Sequence, residues 1–352
     1  MTFSKRIKAF EQLGNFMSQF STDSYKKQPE VYNDIFFDQI QDEITKSINN
    51  NSWFTIDNMI FAFKSWSESL TQNNLEQWTN QYQFNNNKPK TIGLIMAGNI
   101  PLVGFHDFLS ILIAGHKALV KLSSNDHKIV PILAQYLQKI EPEFENCITF
   151  TDYKIENFDA VIATGSNNSA RYFEYYFGKY PHIIRKNRNS VAVITGNETD
   201  KELELLGEDV FCYFGLGCRS VSKIFIPKNY DLNKLFKAFY SYRTLLEYKK
   251  YSNNYDYNKA VYLMSLFKIY DNGFLILKED NSYSSPIASL FYEYYDSIEK
   301  LNEKLLSDQE KIQCIISKST LKNAIPFGTS QKPTLWDYAD NVDTLEFLLK
   351  LT

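Results

Sequence analysis

No stretch of this chain carries a block of like charges, no apolar run is uninterrupted enough to read as a membrane span, cysteines are few, and the GxGxxG dinucleotide fingerprint is absent. Each absence excludes something. With 38 Lys and Arg against 41 Asp and Glu, a net charge of −3, the chain has no general attraction to nucleic acid, and a polynucleotide partner is set aside. The N-terminus MTFSKRIKAFEQLGNFM is basic but lacks the continuous apolar core of a signal peptide, so it reads as an amphipathic helix and a cytoplasmic location is expected. The most apolar stretch, residues 92–115, is interrupted by Asn99, Pro101, His106 and Asp107 and reads as a strand followed by a buried helix, with no transmembrane segment. The four cysteines, Cys147, Cys212, Cys218 and Cys314, form no CxxC pair, and the four histidines fall at no ligand spacing beside them. Neither a zinc site nor a disulfide framework is indicated, and no metal is expected. Thiols in a reducing compartment leave Cys218 free to react.

What is present is a chain of 352 residues, 44% hydrophobic, long enough for two domains with a cleft. The first ninety residues alternate apolar and polar positions at helical spacing (KRIKAFEQLGNF, FTIDNMIFAFKSW) and end in the polar stretch QFNNNKPK, which predicts a helical preface and a linker. The runs TIGLIMA, ALVKL, NCITF and DAVIAT then read as strands, separated by the helical segments LVGFHDFLSILIA and KIVPILAQYLQKI. Alternation of this kind predicts an α/β domain with a parallel sheet covered on both faces. From residue 198 a helix through LELLGEDVFCYF, the strand SKIFIP, a helical stretch over 232–269, strands FLILKE, ASLFYEYY and QCIIS, and a helix at SIEKLNEKLL predict a second α/β domain. Phe236, Phe239, Tyr240, Tyr248 and Tyr262 recur at helical spacing, as core residues do, or as the wall of a lipid pocket would. The Asn triplets at 49–51 and 85–87 read as loop tips.

Four segments could carry chemistry. Cys218 lies in FGLGCRS, where flanking glycines leave room around a thiol, an intrinsically strong nucleophile; a small buried hydrophobe is the alternative. Gly165 and Ser166 follow DAVIAT where a strand passes into a helix, so they either offer a helix N-terminus to a phosphate or cap the helix. Lys121, Ser123 and Ser124 end ALVKLSSND, at the carboxyl edge where open α/β sheets bind ligands, although a strand-end lysine can be only a solvated charge. Asn99 in MAGNIPLVGF precedes Pro101, which is expected to open the next helix; its amide either caps that helix or donates to a developing oxyanion.

In order and spacing these segments resemble the aldehyde dehydrogenase superfamily over residues 90–350. GNIP stands where the family has a PWNFP-like oxyanion asparagine, KLSS where it has KPSE, ATGS where it has FTGS, GLGC where it has GQxC, and IPFGTSQ (325–331) is similar to its PFGG segment. Within the superfamily, MAGNIPLVGFHDFLSILIAGHKALVKLSS most resembles the LuxC-type fatty acyl-CoA reductases. The resemblance implies an aldehyde dehydrogenase-like fold of two α/β domains with a cofactor and substrate cleft. The expected domains are 1–197, binding the cofactor, and 198–325, carrying the cysteine. Residues 326–352 return to the first domain or form an oligomerisation strand. It further implies Cys218 as nucleophile, Asn99 as oxyanion donor, and Lys121, Ser123, Ser124, Gly165 and Ser166 as cofactor contacts.

Departures from ordinary aldehyde dehydrogenases refine the implied activity. Those enzymes activate water with a glutamate in an ELGG segment shortly before the cysteine, but between Glu174 and Glu198 this chain has no carboxylate and reads PHIIRKNRNS in the matching region. Ser124 replaces the glutamate of KPSE, which would repel a 2′-phosphate, and this favours NADPH. Ser282, in SYSSPIASL, stands where the family often has a glutamate for the nicotinamide ribose. The expected reaction is NADPH-dependent reduction of a long-chain acyl-CoA to the aldehyde through an S-acyl cysteine, with Arg219 and His182 as candidate helpers for thiol ionisation. A homo-oligomer, dimer or tetramer, is expected. The alternatives are an acyl carrier protein or short-chain acyl-CoA as donor, and a non-catalytic acyl-binding member of the fold.

Overall fold

The computed structural model describes residues 1–84 and 88–351. The predicted linker at 83–90 and the second Asn triplet fall partly or wholly on residues 85–87, outside the described residues. The chain divides into two compact units, one of residues 1–186 with 334–352 and one of residues 187–333.

The first unit opens with four helices, α1 (Phe3–Ser18), α2 (Asn33–Asn50), α3 (Ile56–Ser69) and α4 (Gln72–Thr79). Thr2, Thr55 and Thr71 cap α1, α3 and α4 by accepting a backbone N–H three residues on. Asn49 and Asn50 close α2 rather than forming the loop tip expected of the first Asn triplet. The sheet strands are β1 (Thr91–Ile95), β2 (Lys117–Lys121), β3 (Ile148–Phe150), β4 (Ala160–Thr164) and β5 (His182–Arg185). They run parallel in the order β3-β2-β1-β4-β5. Helices α5 (Phe105–Ala114), α6 (Ile129–Ile140) and α7 (Asn167–Phe177) connect β1 to β2, β2 to β3 and β4 to β5. Because β1 is flanked by β2 on one side and β4 on the other, the chain reverses its winding there, and the carboxyl edge between β1 and β4 is a topological switch point. The helical preface shares the sheet's core: Phe10, Phe16 and Trp78 lie in one apolar cluster with Phe105, Phe108 and Tyr136.

The second unit contains β6 (Asn189–Val193), α8 (Asp200–Phe211), β7 (Val221–Pro227), α9 (Asn233–Ala238), α10 (Lys249–Met264), β8 (Ile269–Asp271), β9 (Ile276–Glu279), β10 (Ser289–Tyr295), α11 (Ile298–Ser307), β11 (Ile312–Ile316) and β12 (Ala324–Ile325). Its sheet runs β12-β11-β6-β7-β10-β9-β8, parallel except that β8 is antiparallel to β9. Of the aromatic positions at helical spacing, Phe239 and Tyr262 are buried, Phe236 and Tyr248 are half-buried, and Tyr240 is exposed. The ladder is irregular at two places on β6. Pairing with β7 shifts between Ser190 and Val191, and pairing with β11 shifts between Ile312 and Ile315.

At Thr334 the chain rejoins the first unit and ends in α12 (Thr344–Leu349), which packs on α5. Where a strand was expected after the PFG segment, the described residues hold a helix. Buried Arg185 pairs with Asp107 on α5 and donates to Thr344 Oγ1 at 2.7 Å, joining β5, α5 and α12. Among the described residues no helix is long and apolar enough to cross a membrane.

Candidate active site

The residues nominated from sequence fall in both units, and each set is built locally. In the first unit, Asn99 follows β1, Lys121, Ser123 and Ser124 follow or end β2, and Gly165 and Ser166 follow β4. Since β2, β1 and β4 are adjacent and parallel, all six residues lie at one edge of the sheet, the carboxyl edge at the switch point. The exits of β1 and β2 are stitched together. Met96 donates its N–H to the Lys121 carbonyl at 3.0 Å, and a Cβ at Gly98 would stand 2.5 Å from Ser123, so only glycine lets the two segments pass.

The Asn99 segment differs from the expected helix start. Residues 99–104 form a turn, Leu102 adopts the left-handed conformation (φ 57°), and α5 begins only at Phe105, with Gly104 at its N-cap. Pro101 therefore belongs to the turn, and Asn99 does not cap the helix; it is exposed. Buried Asp126 holds the turn by accepting the Leu102 N–H at 2.8 Å, while the Asp126 N–H donates to the Ser123 carbonyl at 3.1 Å. Burial lifts the Asp126 carboxyl to about 6, with the Leu102 N–H opposing. No sequence motif marked Asp126, because its partner lies 24 residues away.

Ser166 caps α7, its Oγ accepting the Ser169 N–H at 3.2 Å. The capping alternative is thus present in the fold, and it leaves the positive end of an eleven-residue helix at the carboxyl edge. Lys121 is half-buried, and Ser124 and Ser166 are exposed.

In the second unit, Cys218 lies at the amino edge, three residues before β7 and half-buried. The chain reaches it through three successive left-handed residues, Tyr213 (φ 53°), Phe214 (φ 57°) and Gly215 (φ 77°), of which only the glycine adopts that conformation cheaply. Three side chains then hold the loop. Ser190 Oγ donates to the Cys218 carbonyl at 3.0 Å, Gln331 Nε2 donates to Ser220 Oγ at 3.3 Å, and Arg219 Nη1 donates to Cys314 Sγ at 3.2 Å. Gln331 closes the IPFGTSQ segment, whose turn at Gly328 (φ 77°) is fixed by Asp209. That buried carboxylate accepts the N–H groups of Gly328 and Ser330 at 2.7 and 2.9 Å. Burial raises the Asp209 carboxyl, and those N–H groups pull it back. The PFG segment is therefore tied to α8 and to the Cys218 loop, and Asp209 and Ser190 are site-building residues that the motifs did not reveal.

The other thiols have different surroundings. Burial pushes the Cys212 thiol up to about 12, with the Glu208 charge acting in the same direction, and burial also raises Cys147. Cys314 is buried. Of the candidate helpers, Arg219 is the neighbour of Cys218 in the loop. His182 belongs to the first unit, exposed at the start of β5 and paired with the Tyr180 carbonyl at 2.8 Å. Ser282 is exposed, its N–H donating to Asp280.

This architecture is that of the aldehyde dehydrogenases. Aldehyde dehydrogenase 21 from Physcomitrella patens, solved with the reaction product succinate, superimposes with a TM-score of 0.64 at 13% identity over 91% of this chain and 74% of that one. An aldehyde dehydrogenase from Bacillus cereus, solved with NAD+, gives 0.61 at 12% identity over 91% and 73% of the two chains. KauB from Pseudomonas aeruginosa gives 0.63 at 10% identity over 92% and 78%. At such identities the likeness defines the fold. In sequence, residues 68–237, a little under half of the chain, match the acyl-CoA reductase (LuxC) family, a span that includes Asn99, Lys121, Ser166 and Cys218. The resemblance drawn from the motifs stands on both findings, and the match supports an oxidoreductase acting on aldehyde or acyl groups. No curated protein matches the chain.

Proposed function

We propose that this protein reduces a long-chain acyl-CoA to the fatty aldehyde with NADPH, holding the acyl group on Cys218 as a thioester. The observation that carries the reading is the chain ahead of and within β6. From Tyr175 to Asn197 it contains no Asp or Glu, where aldehyde-oxidising members of the resembled superfamily keep a carboxylate to activate water. The charged side chains there are basic instead, Lys179, Arg185, Lys186 and Arg188. Without a carboxylate in that stretch to activate water, an acyl-enzyme persists long enough to be reduced.

The first unit's edge fits a phosphorylated dinucleotide. It offers the start of α7, the Lys121 ammonium and the hydroxyls of Ser123, Ser124 and Ser166, and no carboxylate stands among residues 121–124. In this reading Ser166 and the first turn of α7 receive the pyrophosphate, and Lys121 with Ser123 and Ser124 receive the ribose and its 2′-phosphate. The bound cofactor supplies the hydride.

The protein's own groups do the rest. Cys218 Sγ, as the thiolate, adds to the thioester carbonyl, and the Asn99 amide with the Cys218 N–H donates to the oxygen as it becomes negative. The carbon–sulfur bond to coenzyme A breaks and CoA leaves. After reduction, collapse of the thiohemiacetal breaks the bond to Cys218, releases aldehyde and restores the thiol. A homo-oligomer, dimer or tetramer, remains part of the reading.

The test omits the cofactor first. Incubation with a long-chain acyl-CoA should leave an acyl adduct that mass spectrometry maps to Cys218, and adding NADPH should discharge it as aldehyde. Cys218→Ala should form no adduct and lose at least roughly 1,000-fold in NADPH oxidation. Unchanged turnover in that variant overturns the mechanism.

A further inference from the structure

We infer that Ser190 is a positioning residue for the Cys218 nucleophile, a role that rests on the reading of Cys218 above. Ser190 is fully buried in β6, and its hydroxyl makes two bonds at once. It donates to the Cys218 carbonyl at 3.0 Å and accepts the Cys314 N–H at 3.1 Å.

Both bonds arise because the ladder breaks around this residue. On one side the β6–β11 register shifts between Ile312 and Ile315, and the Cys314 N–H inside that break is received by Ser190 Oγ. On the other side the β6–β7 register shifts just after the pair Ser190–Val221, at the end of β7 that follows the thiol loop. Irregularities of this kind bend a strand and re-aim side chains, and here one hydroxyl spans two of them. Its grip on the Cys218 carbonyl fixes the peptide plane that follows Cys218. The backbone angle at Cys218, and with it the direction of the Cα–Cβ–Sγ arm, is thereby set relative to the sheet. On the approach side the chain passes through the three left-handed residues Tyr213, Phe214 and Gly215, and the Leu216 N–H donates to the Tyr213 carbonyl at 3.0 Å.

The bond to Cys218 leaves the thiol itself untouched. Ser190 transfers no proton and meets no substrate; its effect is on where sulfur stands when the thioester carbonyl arrives. A displacement of about 1 Å costs on the order of 100-fold in a reaction that depends on a near-attack geometry.

The experiment measures single-turnover acylation of Cys218 by a long-chain acyl-CoA, followed by intact mass, in Ser190→Ala, Ser190→Thr and the isosteric control Ser190→Val. Rates are taken below each variant's melting temperature and normalised to folded protein. Acylation should slow about 10- to 100-fold in the Ala and Val variants and recover most of its rate in the Thr variant, while the melting shift on adding NADPH stays as in the wild type. A residue that only supports the fold would lower the melting temperature without slowing acylation of the folded molecules. Wild-type acylation in a folded Ala or Val variant, or a Thr variant no faster than Val, overturns the inference. The Cys218 reading fails by a different result, an acyl adduct that still forms in Cys218→Ala. The Thr and Val pair decides the matter if the Ala variant does not fold, because the two side chains have the same shape and differ only in the hydroxyl.

Discussion

Asp126 shows how a single buried carboxylate shapes the first unit's candidate edge. The turn carrying Asn99 includes Leu102 in the left-handed region, a conformation that costs a non-glycine residue about 1–2 kcal/mol, and the bond from Leu102 N–H to Asp126 offsets that cost. Burial raises the Asp126 carboxyl from 3.8 to about 6, so the folded state holds a proton there that the unfolded chain has released. Stability from this group is therefore fully present below pH 3.8, falls as pH rises from about 4 to 6, and is constant above. The total loss is on the order of 3 kcal/mol. Asp126→Asn keeps a carbonyl oxygen for Leu102 and removes the ionisation. It should melt higher than the wild type at pH 7 and show a flatter stability curve between pH 4 and 6 in urea titrations. Equal slopes for the two proteins would show that Asp126 is not the titrating group. Nothing in LSSNDHK distinguished this aspartate from an ordinary turn residue, since its burial depends on chain that follows a different strand.

At the scale of elements, α7 holds two readings of Ser166 that one substitution separates. The sequence placed a helix start after DAVIAT, and that local signal suffices because capping is decided within four residues, here Ser166 to Ser169. Aspartate caps as well as serine, but it places a negative charge at the point proposed for the pyrophosphate. Ser166→Asp should keep the melting temperature within about 2 °C of the wild type, a stability change under about 0.5 kcal/mol, and weaken NADPH binding at least tenfold by fluorescence titration. Tight binding in that variant would leave Ser166 as a cap alone. Strands and helices elsewhere were legible for the same reason, that periodicity and caps are local: TIGLIMA, ALVKL, DAVIAT and SKIFIP all became strands. The Pro101 segment was misread because a left-handed Leu102 and an N-cap at Gly104 delay α5, and no pattern announces a left-handed leucine. The irregularities around Ser190 were invisible, because they join residues 28 and 124 positions apart.

For the whole molecule, the C-terminal nineteen residues matter more than their separation in sequence suggests. The PFG resemblance predicted a return to the first domain or an interface strand, and residues 334–352 belong to the first compact unit as a helix and its approach. What anchors them is a run of polar contacts closing on buried Tyr338. Trp78 Nε1 donates to Tyr338 Oη at 2.7 Å, Tyr82 Oη shares a bond with it at 2.7 Å, and Tyr82 Oη donates to Asp343 at 2.6 Å. Burial and the neighbouring Tyr82 hydroxyl raise the Tyr338 phenol well above its ordinary range, so it stays neutral at every working pH. Tyr338→Phe keeps the ring and leaves the Trp78 indole N–H buried without its acceptor, a loss of about 1–3 kcal/mol. Because Trp78, Tyr82 and Asp343 all lie in the first unit, that loss should be read out there. Hydrogen exchange should speed up in peptides covering β1, β2, β4 and α12 while those covering β7 and β10 keep their protection. Equal loosening of β7 and β10 would mean that the two units open as one cooperative body, and loosening confined to them would refute the assignment of the C-terminal segment. With the first-unit result, the same variant should bind NADPH more weakly as its unit opens, while peptides covering the Cys218 loop, held by Ser190, Arg219 and Gln331 of the other unit, should keep their protection.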